Sequence, residues 1–266
     1  MHPAPECPHP ARVIAAWWTV LAVAVYLTTV TLHLPVTDLV DALAKRYGFP
    51  ALDRGIRTGF AGLGALALAA LWLAPRHRRT VLVVTGAVLA VSVLAAQRLL
   101  VVTGAEAVHY LQYGLVSLFL VRGGCSLETA WLASLGLGVV DEAYQHVVLP
   151  RGTPGYLDWN DIVLNGIGAA CGLALAAAWL DTSAVRSGST TPRLQWLIAA
   201  VLLAGCALLA ACGLLGTQCP RFDVTPGGRE YLVLSAGAAA VLLGLAWFLV
   251  RYLSSWLASA PTRPRA

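Results

Sequence analysis

This chain has 266 residues, of which 58% are hydrophobic and only 12% are charged. A soluble domain carries about 25% charged residues, so most of this surface is built to face lipid or other apolar helices. The net charge of +5 comes from 18 Lys and Arg scattered through short loops and tails, which excludes a concentrated nucleic-acid-binding patch. The expected fold is therefore all-α, a polytopic integral membrane bundle of about eight transmembrane helices, since each stretch of about 20 apolar residues is enough to cross a bilayer.

Residues 1–12, in which His2, Cys7 and His9 alternate with prolines, read as a disordered lead rather than a metal site. The first span, 13–33, carries Trp17, Trp18 and Tyr26 and has no small-residue cleavage site, so it reads as an uncleaved anchor. In the segment 35–57, Leu39, Leu43 and Tyr47 recur at helical spacing beside Asp38, Asp41, Lys45 and Arg46. This predicts a short amphipathic helix on the membrane surface, or a lid over the polar cluster described below. Further spans are expected at 57–74, 80–100, 104–121, 127–149, 158–180, 194–216 and 231–253, with a tight turn around Thr103 and Gly104. The chain divides into N-terminal spans (13–79), a core (80–180), a polar Ser/Thr-rich linker (181–193), two C-terminal spans (194–253) and a tail (254–266).

Loop Arg and Lys set orientation. The compact Arg76, Arg78, Arg79 group favours a cytoplasmic N-terminus, while the 35–56 loop argues against it; the opposite face would then hold Lys45, Arg46, Arg54, Arg57, Arg98, Arg151, Arg221 and Arg229. The six cysteines form no CxxC pair; Cys171, Cys206 and Cys212 fall in spans as small apolar residues. Cys219 lies in a loop with no obvious partner.

Ionisable groups inside apolar spans are costly, about 2.5–3.5 kcal/mol each on insertion scales, and default to functional candidates. They concentrate between Glu106 and Gly172. Glu106, His109, Tyr113 and Ser117 share one helix face. Glu142 and Gln145 share another, continued by Gly138, and Asp158, Asp161, Asn165, Gly168 and Gly172 form a third. The polar groups lie at the start of the fourth span, the end of the fifth and the start of the sixth. Alternating helices bring those three ends to one membrane face, where Arg98 and Arg151 also lie. Glu106, Asp141 and Asp158 each read equally as solvated helix-end charges, with Asp158 or Asp161 as an N-cap.

Three motifs in order, His109-xxx-Tyr113-xx-Val116, then Asp141-Glu142-xx-Gln145 with Leu149-Pro150-Arg151, then Asp161-xxx-Asn165-xx-Gly168-xxx-Gly172, resemble the VanZ-like membrane proteins over residues 95–180. The family's acidic-basic pair before the histidine stands here as Ala105-Glu106. The resemblance implies a multi-pass protein of the bacterial cell membrane. It also points to glycopeptide resistance, because the family is named for a protein linked to teicoplanin resistance.

Two functions fit the residues. One is recognition of a lipid headgroup, lipid-linked molecule or glycopeptide-type ligand through Glu106, Tyr113, Gln145, Arg151, Asn165 and Arg98. The other is a membrane-embedded hydrolase or transferase in which His109 acts as general base, oriented by Glu142 or Asp161, while the arginines hold a phosphate or carboxylate. A third arrangement, Glu106-xx-His109 with Glu142-xx-Gln145, is only a half-match to carboxylate-bridged metal bundles. No metal and no cofactor are expected. The expected partners are the lipid bilayer and one such ligand, with no nucleic acid.

Overall fold

The computed structural model describes residues 10–149, 157–179, 221–225 and 228–259. Its elements are α1 (Pro10–Thr31), α2 (His33–Tyr47), α3 (Phe49–Trp72), α4 (Arg76–Leu99), a 3-10 turn (Gly104–Ala107), α5 (Val108–Arg122), α6 (Leu127–Val148), α7 (Trp159–Trp179), the strands β1 (Arg221–Val224) and β2 (Glu230–Val233), and α8 (Ala236–Ser259).

Local chemistry sets the helix ends. Gly48, with φ of 83°, separates α2 from α3 in a conformation that disfavours any residue with a Cβ. Pro50 then lies in the first turn of α3, where its missing N–H is harmless. Ser126 caps α6 by accepting from the Thr129 N–H at 3.2 Å. Asp158 does the same for α7, accepting from the N–H groups of Asn160 at 2.9 Å and Asp161 at 3.4 Å.

Five helices, α1 (from Val13), α3, α4, α7 and α8, are long and apolar enough to cross a membrane. The expected eight spans are thus five among the described residues. Helix α5 has 15 residues, about 22 Å at 1.5 Å per residue, short of a hydrocarbon core of about 30 Å. Helix α6 has the length, with 22 residues, but Asp141, Glu142, Gln145 and His146 make its last turns polar. The span expected at 194–216, the linker at 181–193, and Cys206, Cys212 and Cys219 lie outside the described residues.

Several boundaries differ from expectation: α1 begins at Pro10 inside the expected lead, α3 begins at Phe49 rather than 57, and α8 runs to Ser259 into the expected tail. The tight turn at Thr103 and Gly104 is instead a loop from Leu100 to Thr103 followed by the 3-10 turn. The last span begins at Ala236 rather than 231, because Glu230–Val233 pairs antiparallel with Arg221–Val224, with Phe222 opposite Leu232. The amphipathic helix expected within 35–57 is α2, which ends at Tyr47 and buries no side chain.

Helix α7 forms the centre of the bundle, contacted by α4, α5, α6 and α8. Its composition explains this: Ala169, Ala170, Ala174, Ala176, Ala177 and Ala178 are all buried, and small side chains let its neighbours, α3 among them, approach closely. The closest approach is to α5. A Cβ on Gly168 would come within 2.6 Å of the Tyr110 Cα, and one on Gly172 would overlap the Gly114 carbonyl. Ser117 stitches the same contact, donating its hydroxyl to the Ala169 carbonyl at 2.9 Å. At the far end, buried Arg78 donates to the Ala177 carbonyl at 3.0 Å, near the C-terminus of α7 where carbonyls lack helical partners.

Candidate functional site

The antiparallel α5, α6 and α7 bring His109, Glu142 and Asp161 together. One ligand-type atom from each lies within 4.8 Å of the other two, and His109 and Glu142 are buried. His109 Nε2 is 3.6 Å from Asp161 Oδ2. One turn along α7 from Asp161, Asn165 is completely buried with its amide facing His109 and Glu142, yet neither the amide nitrogen nor the amide oxygen comes into good hydrogen-bond geometry. Asn165 can enter this space because Gly138 faces it from α6; a Cβ there would come within 2.8 Å of Asn165 Nδ2.

A second, satisfied layer lies beside the first and centres on Asp141. Its Oδ2 accepts from the Tyr113 hydroxyl at 3.0 Å and from Gln112 Nε2 at 3.4 Å, and its Oδ1 accepts from Gln145 Nε2 at 3.3 Å. Gln145 Nε2 also lies 3.4 Å from Glu142 Oε1, which links the layers. The Tyr113 ring stacks nearly parallel to His109, with centroids 6.5 Å apart. The expectation that Asp141 is a solvated helix-end charge is corrected here. Helix α6 continues to Val148, and α5 covers Asp141 until it is only 2% exposed. The sequence does not reveal its neighbour Gln112 either, because a single glutamine outside the spaced motif carries no signal of its own.

Other expected site residues lie elsewhere. Glu106 does not extend the His109 face, because the residues from Gly104 to Ala107 form a 3-10 turn rather than α-helix. Its carboxylate turns back to accept from the N–H groups of Val102 at 2.7 Å and Thr103 at 3.0 Å, in a capping box with Thr103. The Arg98 side chain lies on the exposed side of α4, and its carbonyl rather than its guanidinium is engaged, accepting from Arg229. Arg151 lies outside the described residues. Asp158 is the α7 cap described above. Among the described residues, no Lys or Arg pairs with Asp141, Glu142, Asp158 or Asp161.

The rim of the site is fastened by residues that carry no recognisable motif in the sequence. Asn160 donates to the carbonyls of Leu100 at 3.0 Å and Leu232 at 2.8 Å, and its Oδ1 accepts from the Leu234 N–H at 3.0 Å. The Arg229 guanidinium donates to the carbonyls of Arg98, Val101 and Val102. Arg57 pairs with Asp53 at 2.7 Å and donates to Gln97 Oε1 at 2.8 Å, while Asp53 accepts from the Gly104 N–H. The β-hairpin, the α4–α5 loop and the start of α3 are therefore tied together at the end of the bundle that carries the cluster.

Chemically, this layer offers two carboxylates, an imidazole and an incompletely bonded amide. It is rich in acceptors and poor in fixed positive charge, which suits a ligand bringing hydroxyl, ammonium or metal-cation character.

No family model matches the chain, and no curated protein or solved structure matches it.

Proposed function

We propose that this is a multi-pass protein of the bacterial cell membrane, related to the VanZ-like proteins, whose polar cluster recognises the head of a lipid-linked or glycopeptide-type ligand. The observation that carries this reading is the convergence of His109, Glu142, Asp161 and Asn165 from three helices at one end of a largely apolar bundle, with His109 Nδ1 and both Asn165 amide atoms short of hydrogen bonds. A network kept only for stability would satisfy its own members, as the Asp141 layer does, because a half-satisfied buried network is worse than an apolar core. With the N-terminus cytoplasmic, the cluster faces outward, where envelope glycolipids and glycopeptides are met. Sugar hydroxyls and amines would donate to Glu142 and Asp161.

A second reading, a hydrolase or transferase acting on a lipid-linked substrate, draws on the 3.6 Å separation of His109 Nε2 and Asp161 Oδ2. A carboxylate beside an imidazole orients it and raises its basicity, the arrangement that a general base needs.

The experiment expresses wild type and the His109→Ala, Glu142→Ala and Asp161→Ala variants at matched membrane abundance in a glycopeptide-sensitive Gram-positive host. Teicoplanin susceptibility and labelled-drug binding are then read together. Protection by wild type that all three variants lose supports the ligand reading. Equal susceptibility of wild type, the variants and the empty host removes the glycopeptide role.

A further inference from the structure

We propose that His109, Glu142 and Asp161, with the Asn165 amide oxygen beside them, form a binding site for a single divalent metal cation of the Mn²⁺ or Zn²⁺ class. The inference goes beyond the ligand reading above and stands on separate observations. It also replaces the spacing-based half-match, since Glu106 is engaged in its capping box and the Gln145 amide donates to Asp141 and Glu142.

The geometry is the first observation. Donor atoms bound to one ion at about 2.1 Å lie at most about 4.2 Å apart across it. Those of His109, Glu142 and Asp161 already lie within 4.8 Å of one another, so side-chain shifts of under about 1 Å close the set. The three residues come from three different helices, which fixes the spacing of the donors by helix packing rather than by a mobile loop.

Charge is the second observation. Glu142 and Asp161 are brought together in an apolar bundle, with Asp141 and Asp158 close by, and no Lys or Arg among the described residues pairs with any of them. Burying charge of one sign without compensation is costly even after the surroundings relax, so these carboxyls either hold protons or exchange them for a cation. A divalent cation compensates two carboxylates at once.

The third observation points to a ligand directly. Asn165 is fully buried next to the same donors, with its amide facing His109 and Glu142, and neither amide atom reaches good hydrogen-bond geometry with them. A bound ion takes the amide oxygen, or a water on that ion takes the amide nitrogen. The donor set, one imidazole nitrogen with two carboxylates and an amide oxygen, suits Mn²⁺ or Zn²⁺ and disfavours soft Cu(I), which prefers thiolate and thioether ligands.

The test uses full-length protein in detergent, stripped with chelator, dialysed, and titrated with Mn²⁺ alone and with Zn²⁺ alone. Wild type is expected to bind one ion per chain. Glu142→Gln and Asp161→Asn, eluting as wild type does, are expected to weaken binding by about tenfold or more, a loss typical of disturbed metal sites. Glu128→Gln, at the opposite end of α6 where Glu128 lies near Arg251, is expected to leave binding unchanged. Pulsed electron paramagnetic resonance of the Mn²⁺-loaded wild type is expected to show nitrogen coupling from His109. This readout keeps the proposal testable if the variants fail to fold. Absence of binding to either ion at millimolar concentration, affinity unchanged in both variants, or bound Mn²⁺ without nitrogen coupling would each overturn the proposal.

Discussion

The Tyr113 hydroxyl donates to Asp141 Oδ2 at 3.0 Å across the contact between α5 and α6, and this bond separates the polar cluster into two parts. On its side, Asp141 has three donors and its neighbours are satisfied. On the other side, Glu142, His109, Asp161 and Asn165 converge with His109 Nδ1 and both Asn165 amide atoms left short of hydrogen bonds. The first part holds helices together, and the second is available to a ligand.

Tyr113→Phe removes the shortest bond of the satisfied layer and leaves a buried carboxylate one donor short. Hydrogen bonds to charged groups contribute about 1.5–3 kcal/mol, so the variant is expected to lose stability in that range while keeping ligand and metal affinity. Equilibrium unfolding in mixed detergent micelles, paired with the teicoplanin and Mn²⁺ assays, checks both halves. Unchanged stability would mean that the bond contributes nothing.

Much of this arrangement is legible in the sequence, and the reasons for the failures are physical. Chain direction alone places the start of α5, the end of α6 and the start of α7 at one face, and helical spacing puts His109 with Tyr113 and Asp161 with Asn165. Burial of Asp141 is not legible, because adjacent acids near a helix end look alike until the partner helix is known. Residues 231–233 read as part of the last span because a short apolar run fits strand or helix equally well by periodicity. Glu106 shares the spacing of His109 only if the helix begins before it, and the 3-10 turn removes that premise.

Gly172→Ala tests the close contact of α5 with α7. The new methyl would overlap the Gly114 carbonyl and crowd the Ser117 hydroxyl. Overpacking typically costs about 1–3 kcal/mol, and backbone cannot step aside as a side chain can. A lower melting temperature, with reduced membrane abundance, is expected. Gly237→Ala, where no atom lies within 4 Å of the added Cβ, serves as the control that should show neither effect.

Arg229→Ala removes the donor to the carbonyls of Arg98, Val101 and Val102. Hydrogen–deuterium exchange is expected to accelerate in the strands 221–224 and 230–233 and in the loop after α4, with the α5–α7 contact protected as before. Acceleration throughout the bundle would contradict a local, rim-fastening role.

Glu106→Ala separates capping from ligand recognition. Loss of the capping box is expected to lower stability by about 0.5–2 kcal/mol, with glycopeptide protection and Mn²⁺ affinity unchanged. If protection is lost at wild-type stability, Glu106 belongs to the binding site after all.

The central claim is that the layer of His109, Glu142, Asp161 and Asn165 is kept for a ligand rather than for the fold. It is tested most directly by the unfolding free energy of Glu142→Gln in the presence of chelator. Stability equal to or above that of wild type is expected, because Gln keeps the side chain's shape and removes a carboxylate that no Lys or Arg among the described residues pairs with. A loss of about 3–5 kcal/mol, the size expected when one partner of a buried structural ion pair is removed, would contradict it and make the cluster a structural network.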